Sequence, residues 1–519
     1  MGNRDTLADQ YPQTAPMVGE TVDTQPANVG WAALLSGANG VRSLALAGGV
    51  VLHAINVYIA TTILPSVVKD IGGIDYYAWN TTLFVAASIL GSALSARLLI
   101  GMGPRGAYVI SALVFAFGTL ICALAPSMSL MLVGRIVQGL GGGFLFALSY
   151  AMIRLVFDVA LWPRAMALVS GMWGAATLIG PAIGGIFAEF GVWRAAFWSL
   201  IPIAALFALL AVAVLPKRST HGHERTPLPL AQLVLLTAAV LSVSAGSVSP
   251  ILSWNIGGLT AAAIMTALLI GVESRARHRL LPTGAFRITT ALGALYATMS
   301  LLAVAVTSGE IFVPLFLQVL HDQSPLAAGY LAALMAAGWT LGSIASSGAS
   351  GKGISSAMLA GPVLGTAGMV ALTVLMPTES GGGWLTLAPI CLALVAIGMG
   401  VGLAWPHLLT RVFHVAPDGE QDLASASITT VQLFATALGA ALAGMVANVA
   451  GLTDPGGIAG TASASRWLFG IFAFAPILGV LTALRVVRLH SKVQEGGQVS
   501  KSCAKGMADD HPSELVTRT

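Results

Sequence analysis

Long apolar runs separated by short polar gaps make up most of this chain. The runs approach the ~20 residues that carry a helix across the hydrocarbon of a bilayer. They are continuous, not the ~10-residue alternating segments of an outer-membrane barrel. They predict fourteen transmembrane helices, at 43–66, 79–100, 106–126, 128–152, 165–188, 195–216, 230–250, 254–273, 291–318, 326–349, 354–376, 384–409, 423–450 and 466–486. Ser242, Ser244, Ser247, Ser249 and Pro250 soften the seventh and eighth of these. Residues 1–42 are polar and are expected to form a disordered tail. They lack the charged-then-apolar order of a cleavable signal, so the first span itself is expected to target the chain. Met1 to Thr6 fits the myristoylation pattern, a match too loose to carry weight.

Composition points the same way. Only 9% of the 519 residues are charged and 56% are hydrophobic, and the mean hydropathy is +0.84. These values belong to the membrane class. The net charge of +4 is spread through short loops with no basic, aromatic-studded domain, so nucleic acid is not an expected partner. Cys122, Cys391 and Cys503 are far apart and imply neither a disulfide framework nor a metal site. With no P-loop, ATP is not the expected energy source. No cofactor, metal or enzymatic activity is expected.

Charge placement predicts orientation. With fourteen spans, the loops on one side hold only Lys69, Arg194 and Arg466. The other side holds Arg105, Arg154, Arg164, Lys217, Arg218, Arg225, Arg275, Arg277, Arg279, Arg287, Lys352, Arg411 and the basic C-terminal end. The positive-inside rule then makes both termini and the 217–229 loop cytoplasmic, in a multi-pass protein of the plasma (inner) membrane. Trp79, Trp193, Trp384 and Trp467 fall at the outer ends, where an interfacial aromatic belt is expected.

The chain also carries a weak internal repeat. Gly139, Gly141 and Gly143 of span four match Gly398, Gly400 and Gly402 of span twelve. The stretch from Gly180 to Gly185 in span five matches Gly439 to Gly444 in span thirteen. This predicts an all-α polytopic fold of two six-helix bundles, 43–216 and 291–488. Two extra helices lie inserted at 217–290, and polar tails occupy 1–42 and 489–519. A substrate site between duplicated halves is a common transporter plan.

Three stretches of sequence resemble the major facilitator superfamily, and the likeness covers nearly all of 43–488. Leu132 to Gly139, with Arg135 and Gln138, is similar to its fourth-helix motif. Gly171 through Gly180, Pro181, Gly184 and Gly185 is similar to the fifth-helix motif of its antiporters. Ile311 to Gln318 followed by Ser324 to Gly329 resembles the link between the first two helices of its second half. The nearest likeness is to the fourteen-span drug:proton antiporter branch. That implies secondary transport by alternating access, with protons and a small-molecule substrate as partners and a monomer as the working unit. In two places the chain departs from the pattern. Asn56 stands where a first-helix aspartate is usual, and Ile100 where the loop after span two has one.

The residues themselves offer candidates. Arg135 lies inside an apolar run, where a charge costs ~2.5–3.5 kcal/mol and is functional by default; its plainer role is a hub for backbone carbonyls. Glu310 is the one acidic residue well inside a span. Ser300, Thr307, Glu310, Pro314 and Gln318 share a helical face. A carboxyl taken out of water can load and release a proton near neutral pH, as proton coupling requires. The alternative is a neutral hydrogen-bond donor. His53 shares a face with Asn56 and is the next titratable candidate, with polar packing as the plainer reading. Gly180, Gly184 and Gly185 permit close helix approach, and Pro181 a bend. Trp173, Trp339 and Trp405 lie deeper than the belt, where they either stack on a flat or cationic substrate or simply pack. The expected function is proton-coupled export of amphipathic small molecules. A proton-independent facilitator or an importer of a polar solute is the first alternative. A non-transporting receptor or scaffold is the second.

Overall fold

A computed structural model describes residues 31–158, 161–217, 228–249 and 251–489. The myristoylation pattern, Cys503, the tail from 490, and Arg218 and Arg225 with most of the 217–229 loop lie outside the described residues. Among the described residues, thirteen helices are long and apolar enough to cross a membrane. One of them carries two expected spans: α3, Trp79–Leu124, turns sharply at Gly103 (φ 68, ψ 174). Only glycine adopts that backbone readily, and Pro104 next to it brings no N–H to continue the ladder. The chain therefore crosses fourteen times.

The first half comprises α2 (Gly37–Ile71), α3, α4 (Met128–Val156), α5 (Trp162–Glu189) and α6 (Arg194–Val214), preceded by the short α1 (Trp31–Leu35). The inserted pair is α7 (Leu230–Ser247) and α8 (Leu252–Arg275). The second half comprises α9 (Ala291–Leu320), α10 (Pro325–Ser346), α11 (Lys352–Leu375), α12 (Trp384–Val415) and α13 (Gln421–Ala447). It closes with α14 (Gly457–Phe472), which opens a membrane-length stretch over Gly457–Leu489.

Three expectations need correction. Residues 31–35 and 37–42 are helical, not tail: Leu34 is buried, and Ser43 donates to the Leu34 carbonyl. The last span begins near Gly457, not 466. Its polar residues stay helical because Thr461 donates to the Gly457 carbonyl at 2.6 Å and Ser465 to the Ala462 carbonyl at 2.9 Å. The serines of α7 do the same, Ser242 onto Ala238 and Ser247 onto Ser244. Third, Trp193 is no belt residue. It is 3% exposed and donates to Asp70 Oδ2, which also pairs with Arg194 at 2.6 Å. Trp384 and Trp467 are exposed as expected.

Packing shows the internal repeat directly. Gly139 and Gly143 of α4 sit on the Phe84 and Ser88 carbonyls of the first span of α3, and Gly141 on Phe115 of its second span. In the other half, Gly398 and Gly402 of α12 sit on the Met335 and Trp339 carbonyls of α10, and Gly400 on α11. Hydroxyls repeat too: Ser92 donates to the Gly143 carbonyl and Ser343 to that of Gly402. With no hydrophobic drive between helices in lipid, small residues and close backbones supply the cohesion.

The inserted pair packs on itself through Gly246 and Gly258. Val240 and Val243 of α7 join Phe84 and Val85 of α3 and Ala437, Ala441 and Met445 of α13 in one cluster. The pair thus covers a seam between the halves. Trp254, Ile256, Ile264 and Leu268 of α8 are exposed, as a lipid-facing surface should be.

Candidate functional site: buried polar groups of the two halves

Arg135 is 1% exposed, and its partners are neutral. Its Nε donates to the Asn80 carbonyl at 3.2 Å, and Nη1 to Gln138 Oε1 at 2.6 Å and Asn56 Oδ1 at 3.3 Å. Gln138 Nε2 in turn donates to Thr119 at 2.8 Å. The guanidinium lies 4.2 Å from the centre of the Phe84 ring, a cation–π contact that desolvation strengthens. Asn56, at the usual aspartate position, therefore supplies a neutral acceptor to a buried cation.

His53 lies one helical turn from Asn56. Its ring stands 5.2 Å from Phe84, 5.3 Å from Phe146 and 6.0 Å from Trp173. A side chain at Gly142 would come within 2.9 Å of Nδ1, so that glycine makes room for the imidazole. Together Asn56, Arg135, Gln138, His53 and Trp173 form one continuous group in the first half.

Glu310 lies across from this group on α9, about 15 Å below the Leu320 end at 1.5 Å per residue. It is partly exposed, in electrostatic reach of Tyr58 on α2. Trp339 and Trp405 pair at 5.4 Å between ring centres in the second half. Trp173, Trp339 and Gln318 keep part of their surface exposed. Asn56, Thr307 and Trp405, expected on the cavity wall, are buried instead. Thr307 spends its hydroxyl on the Ala303 carbonyl, Asn56 is drawn in by Arg135, and Trp405 is covered by Trp339. Sequence reading missed Tyr58, Phe84, Asn80 and Phe146. Their periodicity is that of ordinary core, and only the fold sets them beside Arg135, His53 and Glu310.

At the ends opposite the first residues of α2, the halves meet tightly. A Cβ added at Gly185 would stand 2.5 Å from Leu326 Cα, and one at Gly444 would stand 2.6 Å from Ala78 Cβ. Tyr330 donates to the Leu178 carbonyl at 3.2 Å, and Ser324 to Glu189 at 3.3 Å. Asn448 opens a π-helical turn and donates to the carbonyls of Asp75 and Ser247, each at 2.9 Å. It thereby ties the first half, the inserted pair and the second half together. At the other end of α5, Gly171 and Gly174 face open space. Gly171 is thus no packing glycine, and Gly184 packs on Ile59 and Ile63 of its own half. The halves are thus joined tightly at one end, with the Arg135 group buried in the first half and Glu310 and the tryptophan pair in the second.

Two helical halves that repeat the same glycine packing are a common plan of secondary transporters. The profile of the Major Facilitator Superfamily matches residues 46–440, and the chain belongs to that family. A probable multidrug-efflux transporter of Mycobacterium tuberculosis is 38% identical over 87% of this chain and 95% of its own length. The multidrug efflux pump SdrM of Staphylococcus aureus is 25% identical over 56% of this chain and 64% of its own. Among solved structures, a D-xylose–proton symporter shares the fold at TM-score 0.58 and 15% identity, over 87% of this chain and 97% of the other. The chain is a multi-pass membrane transporter, not an enzyme.

Proposed function

We propose that this transporter exports amphipathic small molecules in exchange for protons, working as a monomer. The efflux relatives support the substrate class and direction. The observation that carries the mechanism is Glu310. It is a partly exposed carboxyl deep in a membrane helix, within electrostatic reach of Tyr58 in the other half, and among the described residues no hydrogen bond or ion pair ties it down. A carboxyl in a membrane helix with no fixed partner suits a proton carrier. Arg135 tunes the opposite half, and His53 is the second titratable group. Both termini are assigned to the cytoplasm from the Lys/Arg partition. With that orientation the Gly185 and Gly444 contacts hold the halves together at the outer end. The halves are taken at 43–216 and 291–488.

The test is substrate flux in proteoliposomes under an imposed pH gradient. Glu310→Gln keeps the shape and mimics the protonated form. It is expected to bind substrate, lose gradient-driven accumulation at least tenfold and keep downhill exchange. Glu310→Asp is expected to shift the pH optimum. Uphill transport by Glu310→Gln at the wild-type rate would remove Glu310 from the coupling step and favour a proton-independent facilitator.

A further inference from the structure

α8 keeps most of its surface outside the bundle, and its last turns differ from an ordinary lipid-facing helix. Ala267, Gly271 and Arg275 stand in one row, four residues apart, with Leu268, Val272 and Ala276 in the next. These six residues line an open groove of about 450 Å³. The first row is small until its final member: nothing lies within 4 Å of a Cβ built at Gly271. Leu268 and Val272 are exposed beside it. An apolar trough thus runs along the end of α8 and finishes at a guanidinium.

The charge at that end is unspent. Arg275, Arg277 and Arg287 are exposed, and among the described residues no ion pair or side-chain hydrogen bond holds any of them. The two carboxylates bonded to the link after α8 are used up on it. Glu273 is buried, and its Oε1 accepts from the backbone N–H groups of Leu280 at 2.6 Å and Leu281 at 2.8 Å. Glu420 accepts from the N–H and the hydroxyl of Thr283. The Glu273 bonds also fold the link back on the end of α8, so Arg275 and Arg277 stand on a fixed turn and not on a loose tail.

This combination narrows the choice of partner. A free anion gains from the arginines but leaves the trough empty. A second copy of the chain, related by a twofold axis along the membrane normal, brings Arg275 against Arg275 at the same depth. A zwitterionic lipid carries its own ammonium toward the arginines. An anionic phospholipid uses both parts: its acyl chain lies in the trough, and its phosphate oxygens accept from the planar guanidinium forks. Arginines at a helix end reach the headgroup level, where basic clusters attract anionic lipid.

We propose that the end of α8 is a binding site for an anionic phospholipid, with an acyl chain along Ala267 and Gly271 and the phosphate on Arg275 and Arg277. The site is separate from Glu310 and does not rest on the export reading.

The experiment uses the purified full-length protein and reads binding, not transport. Native mass spectrometry in detergent follows titration with phosphatidylglycerol and with phosphatidylcholine of the same acyl chains, and glycerol phosphate is added as an acyl-free competitor. Three variants are compared. Arg275→Gln with Arg277→Gln removes the charges, Gly271→Leu fills the trough and spares them, and Lys352→Gln removes an exposed charge elsewhere. Wild type is expected to bind phosphatidylglycerol at least fivefold more tightly than phosphatidylcholine. The arginine variant should lose that preference, Gly271→Leu should bind phosphatidylglycerol at least fivefold more weakly, and Lys352→Gln should match wild type. Equal affinity for the two lipids in wild type, or a preference that survives the arginine variant, overturns the proposal. So does unchanged binding in Gly271→Leu, an equal loss in Lys352→Gln, displacement of the lipid by equimolar glycerol phosphate, or a dimer that Gly271→Leu abolishes.

Discussion

At the residue scale, Arg135 shows how a membrane protein holds a charge it cannot solvate. Three neutral acceptors and a ring face take the place of a counter-ion. Each buried acceptor left unpaired costs about 1–3 kcal/mol, so Arg135→Ala should lose both transport and thermal stability. Arg135→Lys keeps the charge but not the planar fork that reaches Asn80, Asn56 and Gln138 together. It should fold and transport at least tenfold more slowly, measured as flux per inserted protein; wild-type flux in both variants would dismiss the hub. Asn56 offers the complementary test. Asn56→Asp sets a carboxylate 3.3 Å from Nη1 and restores the family's usual first-helix residue. A new pH dependence of transport is expected, read from flux against pH at fixed substrate; an unchanged profile would show that the pair is electrostatically silent.

At the element scale, the two glycine pairs of the repeat divide their labour in the same way. Gly180 lies on Tyr58 of α2 and Gly439 on Val304 of α9, each within its own half. Five residues on, Gly185 and Gly444 each touch the start of a helix in the other half. Gly185→Leu should therefore block closure of that end and hold the halves apart there. Cysteine labelling near Ser324 should rise with normal membrane insertion. Gly184→Leu should instead loosen α2 from α5 and lower stability. If Gly185→Leu transports normally, the glycine is not at a moving contact. A second element-scale device lies outside the spans. Glu420, just before α13, accepts from the Thr283 N–H at 2.6 Å and the Thr283 hydroxyl at 2.7 Å. These bonds, the backbone one foremost, hold its carboxyl below the usual glutamate range. A depressed pKa means the anchorage is complete above that range and is lost as pH falls through the lowered value. Proteolysis of the 276–287 link should accelerate in acid, and in Glu420→Gln it should be fast already at neutral pH.

At the scale of the whole molecule, fourteen crossings put the ends of the described chain on one side. The basic residues favour that side as cytoplasmic. Single-cysteine labelling checks it: Cys503 should react only after the membrane is permeabilised, and reaction from outside intact cells would invert the assignment. The inserted pair has a structural part in this architecture. α7 seals the seam between the first span of α3 and α13, and Asn448 ties that seam to the closed end. Asn448→Ala should therefore weaken the closed end without unfolding the bundle, seen as faster hydrogen exchange at 72–78.

The sequence alone determined whatever depends on a solvent. Hydrocarbon tolerates only backbones that satisfy themselves, so run length sufficed to count fourteen spans, including the two that α3 joins. Small-residue spacing marked the repeat, because helices in lipid pack through missing side chains. The cost of a charge in lipid singled out Arg135 and Glu310. What the tertiary structure decided was neighbourhood. Asn56 and Thr307 share periodicity with cavity residues, yet one is drawn into the Arg135 network and the other turned into its own helix. Trp193 sits at an outer end like its belt counterparts but is claimed by Asp70 from another helix. Glu273 lies at a span edge, where sequence grants it water. Only the packing of α8, its following link and α13 takes that water away. Helical period says which side chains share a face; which faces meet depends on contacts between residues on different helices, 79 positions apart for Asn56 and Arg135 and 123 for Asp70 and Trp193, and no local pattern carries that.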